Sequence, residues 1–208
     1  MKIIIFGATG TVGMEIVKHA LGKNYTVTAF VRNPEKMASI KHVNLSIFKG
    51  DVLNLTEVEN AVQNHDAVLC ALGDGNAGTI RAVGTRNIID AMNKTGIKRL
   101  ICQTVLGMGE SYANLNFYWK HIMFGMLLRK AFHDHQVQEQ YLLNSNLNYT
   151  IVRPSAFTNG PITNGIKVGF NGDYKKLNLK ISRADVADFM LSQLQTDGYI
   201  RKAVSISN

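Results

Sequence analysis

Ile3, Ile4, Ile5 and Phe6 run directly into GATGTVG, where Gly7, Gly10 and Gly13 follow one another at intervals of three. No other stretch of the chain limits the possible folds so tightly. The apolar run predicts a buried strand over Lys2 to Phe6, and the amphipathic pattern from Val12 to Leu21 predicts a helix just after it. The first amides of such a helix have no partners within it, and together with the helix dipole they favour an anion at that end. Glycines let the backbone turn sharply and approach a pyrophosphate closely. A strand, glycine turn and helix in this order are therefore expected to hold a dinucleotide.

The remainder of the chain repeats the alternation. Strands are predicted at Thr26 to Val31, Leu45 to Lys49, Ala67 to Ala71, Arg99 to Gln103, Tyr149 to Val152 and Ala203 to Ile206. Helices are predicted near Leu55 to Gln63, Thr79 to Lys94, Lys130 to Asn144 and Arg183 to Gln195, the last opened by Ser182 and Asp185 at capping-box spacing. This alternation predicts an α/β, Rossmann-like, doubly wound parallel sheet with helices on both faces. It weakens after Arg153, where glycine and asparagine become frequent. One domain over residues 1–208 is expected, with residues 153–182 supplying much of a small substrate-side region beyond the last long strand.

Composition narrows the partners. Charged residues make up 18% of the chain and hydrophobic ones 46%, proportions of a folded globular protein rather than a disordered one. The net charge of +8 raises the question of nucleic acid, but the cations are scattered and no helix-turn-helix, zinc-finger or RRM signature accompanies them. A small, multiply phosphorylated anion accounts for the same excess, so no nucleic-acid partner is expected. The start of the chain lacks the pattern of a signal peptide, and "IMFGMLL" at 122–128 is too short to span a bilayer. The expectation is a cytoplasmic protein without a membrane partner. Cys70 and Cys102 both fall in strand patterns and read as buried thiols.

The G-x-x-G-x-x-G spacing resembles the short-chain dehydrogenase/reductase superfamily, in particular its extended and atypical branches. Thr9 and Thr11 are then expected to flank the phosphates and donate hydroxyl hydrogen bonds. At the end of the second predicted strand Arg32 stands where a carboxylate would bind the ribose diol, which favours NADP(H) over NAD(H). The resemblance and the topology together place Asp51 and Val52 over the adenine ring, and Ala71, Leu72 and Gly73 against the nicotinamide-side ribose.

The superfamily's usual catalysis uses a tyrosine and a lysine four residues later, whose contacts lower the phenol's pKa. Tyr112, Tyr118 and Tyr141 lack that lysine; aligned on "SNLNYTIVRP", the two positions hold Ala131 and His135. That exit, with "GTRNIIDAM", "GATGTVG" and "ISRADVADFMLSQL", is similar to the atypical NAD(P)H-binding reductases, the flavin reductase and biliverdin reductase B group, which shades into NmrA-like proteins that bind NADP without turnover. The resemblance implies catalytic roles for Thr104 and His135, the latter hydrogen-bonding the nicotinamide ribose or a substrate. It further implies cofactor contacts from Cys102, Pro154 and Ser155. A second histidine of that group is replaced here by Ala156, with Arg153 and Ser155 as neighbours positioned to take over substrate contacts.

Hydride transfer to a flavin, biliverdin or quinone needs chiefly two flat rings held together with water excluded, so the missing tyrosine does not preclude it. The aromatic stretch at 114–132 is a candidate lid over a planar substrate such as FMN or FAD; an aromatic and methionine stripe of this kind equally reads as core or subunit contact. A non-catalytic NADP(H) sensor and a nucleotide-sugar epimerase are the competing functions. No metal is expected, because His133 and His135 point to different sides of a helix and neither H-E-x-x-H nor a C-x-x-C pair occurs.

Overall fold

The computed structural model describes residues 1–163, 165–174 and 176–208. Strand β1 (Lys2–Phe6) is followed by α1 (Thr11–Gly22), β2 (Thr26–Val31), β3 (Leu45–Lys49), α2 (Leu55–Val62), β4 (Ala67–Cys70), α3 (Arg81–Thr95) and β5 (Arg99–Gln103). A π-helix, Tyr118–Leu127, leads into α4 (Arg129–Leu143). Next come β6 (Asn148–Pro154), β7 (Ala156–Thr158), β8 (Lys167–Val168), β9 (Lys180–Ser182), α5 (Arg183–Ser192) and β10 (Lys202–Ser207).

The strands form an eight-stranded sheet in the order β3-β2-β1-β4-β5-β6-β10-β8, parallel except for β8, which runs antiparallel to β10. Strands β7 and β9 pair separately. The side-chain period of two divides β1 between two cores. Ile3 and Ile5 pack with Ile16, Val17 and Ala20 of α1 and Val186 and Met190 of α5. Ile4 and Phe6 pack with Val58 and Val62 of α2, Ile88 and Met92 of α3 and Leu142 of α4. Both faces of the sheet are thus covered, as a run without polar interruptions requires. This is a Rossmann-like α/β fold.

The chain leaves β1 for β2 and β3 on one side and returns to β4 on the other, so a crevice opens beyond the carboxyl ends of β1 and β4. Gly7 and Ala71 directly follow those two strands. Several element ends differ from the sequence expectation by a residue or two, and two helix ends differ by two or more for local reasons. Helix α3 starts at Arg81 rather than Thr79, because the Thr79 amide and hydroxyl both donate to Asp74 Oδ2 and hold the preceding loop. Helix α5 ends at Ser192 rather than Gln195, where the chain tightens into turns from Leu194 N to Leu191 O and Gln195 N to Ser192 O. The stretch 153–182 carries β7, β8 and β9, and its positions 164 and 175 lie outside the described residues.

Candidate dinucleotide and acceptor site

One cavity of about 690 Å³ occupies this crevice, within the range of small-molecule sites. At its centre the glycine turn is set by contact with the neighbouring strand exit. Gly7 has φ +79°, and a Cβ there would lie 2.3 Å from the Ala71 carbonyl oxygen. Gly13 lets α1 approach the turn, since a Cβ there would lie 2.1 Å from the Gly7 carbonyl oxygen. Helix α1 begins at Gly10 with no side-chain cap and no acidic residue in its first turn.

Its neighbours are closed in ways that α1 is not. Asn54 caps α2 and Ser182 caps α5. Asp134, reaching across from α4, accepts from the Arg81 and Ala82 amides of α3, each at 3.0 Å. The uncapped dipole of α1 faces the cavity together with Gly7, Thr9, Gly10, Thr11 and Val12. An anionic bridge fits this cradle without displacing any side chain.

The adenosine end is lined by Phe30, Val31, Arg32, Lys36, Gly50, Val52 and Ile80, and Leu72, expected at the nicotinamide-side ribose, lies here instead, since it and Val52 meet at the same face of Gly84. Arg32 and Lys36 are two exposed cations at one rim. Lys36 was not legible in the sequence, since it comes from a short 3₁₀ turn, Pro34–Met37, whose Asn33 cap folds it back beside Arg32's strand exit. Ala71 and Gly73 line the middle, with Thr104, His135, Pro154 and Ser155 beyond.

Three predicted contacts lie outside the described lining. Gly13 stands behind Gly7 for the packing reason just given. Asp51 faces a turn: its amide donates to Glu57 Oε2 at 2.6 Å and its Oδ1 accepts from the Leu53 amide. Cys102 is fully buried in register with Cys70, and its Sγ accepts from Gln138 Nε2 at 3.3 Å. A hydrogen bond shared with Cys70, and then burial, push the Cys102 thiol well above the ordinary range, so it stays protonated.

His135 is held from behind. Its Nδ1 lies 2.9 Å from Gln138 Oε1, while Gln138 Nε2 donates to Thr85 Oγ1 and Cys102 Sγ. An amide oxygen only accepts, so Nδ1 carries the ring proton and Nε2 keeps a lone pair for the cavity. Burial, and then the Arg81 guanidinium, push its pKa down to about 4. Burial works to raise the Asp74 carboxyl nearby, but hydrogen bonds from Thr79 and the charge of Arg81 hold it below the usual range. At neutral pH His135 therefore accepts a hydrogen bond and holds no proton to give from Nε2.

Thr104 is also committed. Its hydroxyl donates to Glu139 Oε1 at 2.7 Å. Glu139 in turn receives Arg153 Nε at 3.0 Å and Nη2 at 2.7 Å, a buried bidentate pair. Burial works against the Arg153 charge, but Glu139 and Glu110 hold its pKa above the ordinary value. Arg153 thus serves this pair and Glu110 rather than lining the cavity, whereas Ser155 does line it.

Past Thr104 the wall becomes apolar: Leu106, Leu115, Trp119, Phe124, Leu128, Phe157 and Leu179. Trp119 and Phe124 come from the π-helix, with ring centroids 5.5 Å apart. Two buried polar atoms of this lining, Gln103 Oε1 and Ser155 Oγ, have no hydrogen-bond partner within the protein. Such groups usually meet a ligand or water. The described lining includes Arg32, Lys36, Arg81 and Arg183 and no carboxylate, which suits a polyanionic ligand. The residues present fit a dinucleotide, with an apolar compartment continuing beyond it.

Comparison with known proteins agrees with this geometry. The photosystem II assembly factor Ycf39 of Synechocystis is 28% identical over 218 residues, covering 99% of this chain and 62% of that protein, so the chain spans under two thirds of that relative. The solved oxidoreductase ylbE of Lactococcus lactis superposes with a TM-score of 0.84 at 26% identity, over 100% of this chain and 91% of that one. ChuY of Escherichia coli O157:H7, described as an anaerobillin reductase, shares the fold with a TM-score of 0.85 at 24% identity, over 100% and 97%. A family described as NAD(P)H-binding matches residues 7–197. Glycine turn, uncapped helix and family match converge, and the chain belongs to the NAD(P)H-binding family.

Proposed function

We propose that the protein is an NADPH-dependent reductase of flavins or similar planar acceptors such as biliverdin or quinones. The observation that carries this reading is the continuity of the cavity from the glycine turn to the aromatic wall of Trp119 and Phe124. Gly10, Thr9, Thr11 and the first turn of α1 would hold the diphosphate, Arg32 and Lys36 a 2′-phosphate, and His135 Nε2 a ribose hydroxyl. A reduced nicotinamide held there would supply a hydride, and one proton from solvent would complete a two-electron reduction of the acceptor.

The protein's own contribution is then orientation and dryness. With the His135 proton turned to Gln138 and the Thr104 proton given to Glu139, neither of these two groups has a proton to offer an alkoxide. Conjugated acceptors, whose reduced rings take a proton from water, suit such a site better than simple ketones do. Gln103 and Ser155 are polar residues of the lining that would orient a flat ring. The test is NADPH oxidation by purified protein with FMN, FAD, biliverdin and quinones; no oxidation above background with any of them overturns the reading. The absent tyrosine and lysine, and a relative described as an assembly factor, favour a second reading as an NADP(H)-sensing protein. That reading predicts tight binding, discrimination between redox states and no turnover.

A further inference from the structure

The outer side of the π-helix is the most anomalous surface of the molecule. Phe117 is 72% exposed, Tyr118 51%, Met126 74% and Leu127 56%, with Ile122 at 38% between them. On a helix with more than four residues per turn, positions 118, 122 and 126–127 fall along one stripe. Isolated exposed apolar residues need no explanation, but a contiguous patch of them marks an interaction surface. The adjoining sequence carries charge of one sign: from Ser111 to His133 it holds Lys120, Arg129 and Lys130 and no aspartate or glutamate, while Glu110 just before it pairs with Arg153 and Asp134 just after it is buried against the Arg81 and Ala82 amides.

Against the sequence expectation of no membrane partner, we propose that this stripe is a docking surface for an anionic lipid bilayer, with Phe117, Met126 and Leu127 entering the headgroup boundary and the three cations meeting lipid phosphates. Large apolar side chains projecting beside lysine and arginine are the composition of an interfacial helix. A second copy of this chain fits less well, because an isologous contact would set these cations against themselves. Among the described residues no helix is long and apolar enough to cross a membrane, so the contact is peripheral.

The same helix gives Trp119 and Phe124 to the cavity wall, so docking sets the apolar end of the cavity beside the bilayer. The substrate class that follows is a lipid-dissolved quinone. This last step rests on the reductase reading, whereas the docking surface does not.

The test uses the whole chain with phosphatidylcholine vesicles, with and without phosphatidylglycerol. Cosedimentation with the anionic vesicles only, weakened by salt, is expected. Phe117→Ser/Met126→Ser should abolish it while leaving NADPH affinity and thermal stability unchanged, since both side chains are mostly in solvent. Lys120→Gln/Arg129→Gln/Lys130→Gln should weaken it by roughly a hundredfold. Equal binding to neutral vesicles, no binding to either, or a dimer that the serine variant dissociates overturns the proposal. In a second arm, the serine variant should lose turnover of a long-chain quinone in vesicles and keep that of a short-chain soluble one. Loss of both, or of neither, overturns delivery from the bilayer. Vesicle binding by a protein that oxidises NADPH with no acceptor upholds the docking surface and overturns the reductase reading.

Discussion

His135 Nδ1 and Gln138 Oε1 stand 2.9 Å apart, one turn along the same helix, and this contact decides what the histidine can do. With Nδ1 protonated and a pKa of about 4, the ring offers only a lone pair at neutral pH. The rate of acceptor reduction should then show no imidazole titration between about pH 5 and 8. A pH profile of kcat with an inflection there that His135→Asn removes would contradict this assignment.

The same shift makes a stability prediction. The folded value of about 4 lies below the ordinary 6.5, so between these two pH values the unfolded chain binds more protons. Stability therefore rises with pH from about 4 to 6.5, is fully present above that window and is lost as pH falls through it. The contribution is about 3 kcal/mol. His135→Gln should flatten the dependence in urea titrations, leaving the smaller slope from His65, whose pKa burial also lowers.

Arg32 and Lys36 are exposed, so the 2′-phosphate contact proposed for them should weaken with salt. Arg32→Asp should reduce NADPH affinity by about a hundredfold and NADH affinity far less, as read by calorimetry. An unchanged preference would locate 2′-phosphate recognition elsewhere.

The three glycines should separate into structural and binding roles. Gly13→Ala drives a Cβ into the Gly7 carbonyl and should cost about 3 kcal/mol or more of stability. At Gly10 a Cβ would come no nearer than 3.1 Å to the protein, to Gly7 O. Gly10→Ala asks the Gly7 carbonyl to give by only a few tenths of an ångström, so it should cost less stability than Gly13→Ala and still lose NADPH affinity, because Gly10 lines the cavity.

Thr104 is expected to position rather than to donate a proton to substrate. Thr104→Ser should retain near-normal kcat and stability, whereas Thr104→Val should cost about 1–2 kcal/mol by removing a donor from buried Glu139. Glu139→Gln should cost more, about 3–5 kcal/mol, because it breaks the buried pair with Arg153. Denaturant unfolding of the three variants checks the order.

Strand alternation, the glycine turn and the family resemblance were legible because each rests on near neighbours in sequence: period two in β1, glycine spacing before α1, Ser182 ahead of α5. They determined the parallel sheet and the membership of an NAD(P)H-binding family. The remainder depends on residues far apart in the chain. Asp134 caps a helix 52 and 53 residues away, Thr104 meets Glu139 at a separation of 35, and Cys102 faces Gln138 at 36. The family resemblance made Thr104 and Cys102 site candidates, and only packing showed where their hydrogen bonds go. The π-helix has no periodic signature of its own, so which aromatics of 114–132 line the cavity and which stand in solvent was settled by tertiary structure. Short-range patterns set local backbone geometry, whereas side-chain partners and exposure follow from which distant surfaces the folded chain brings together.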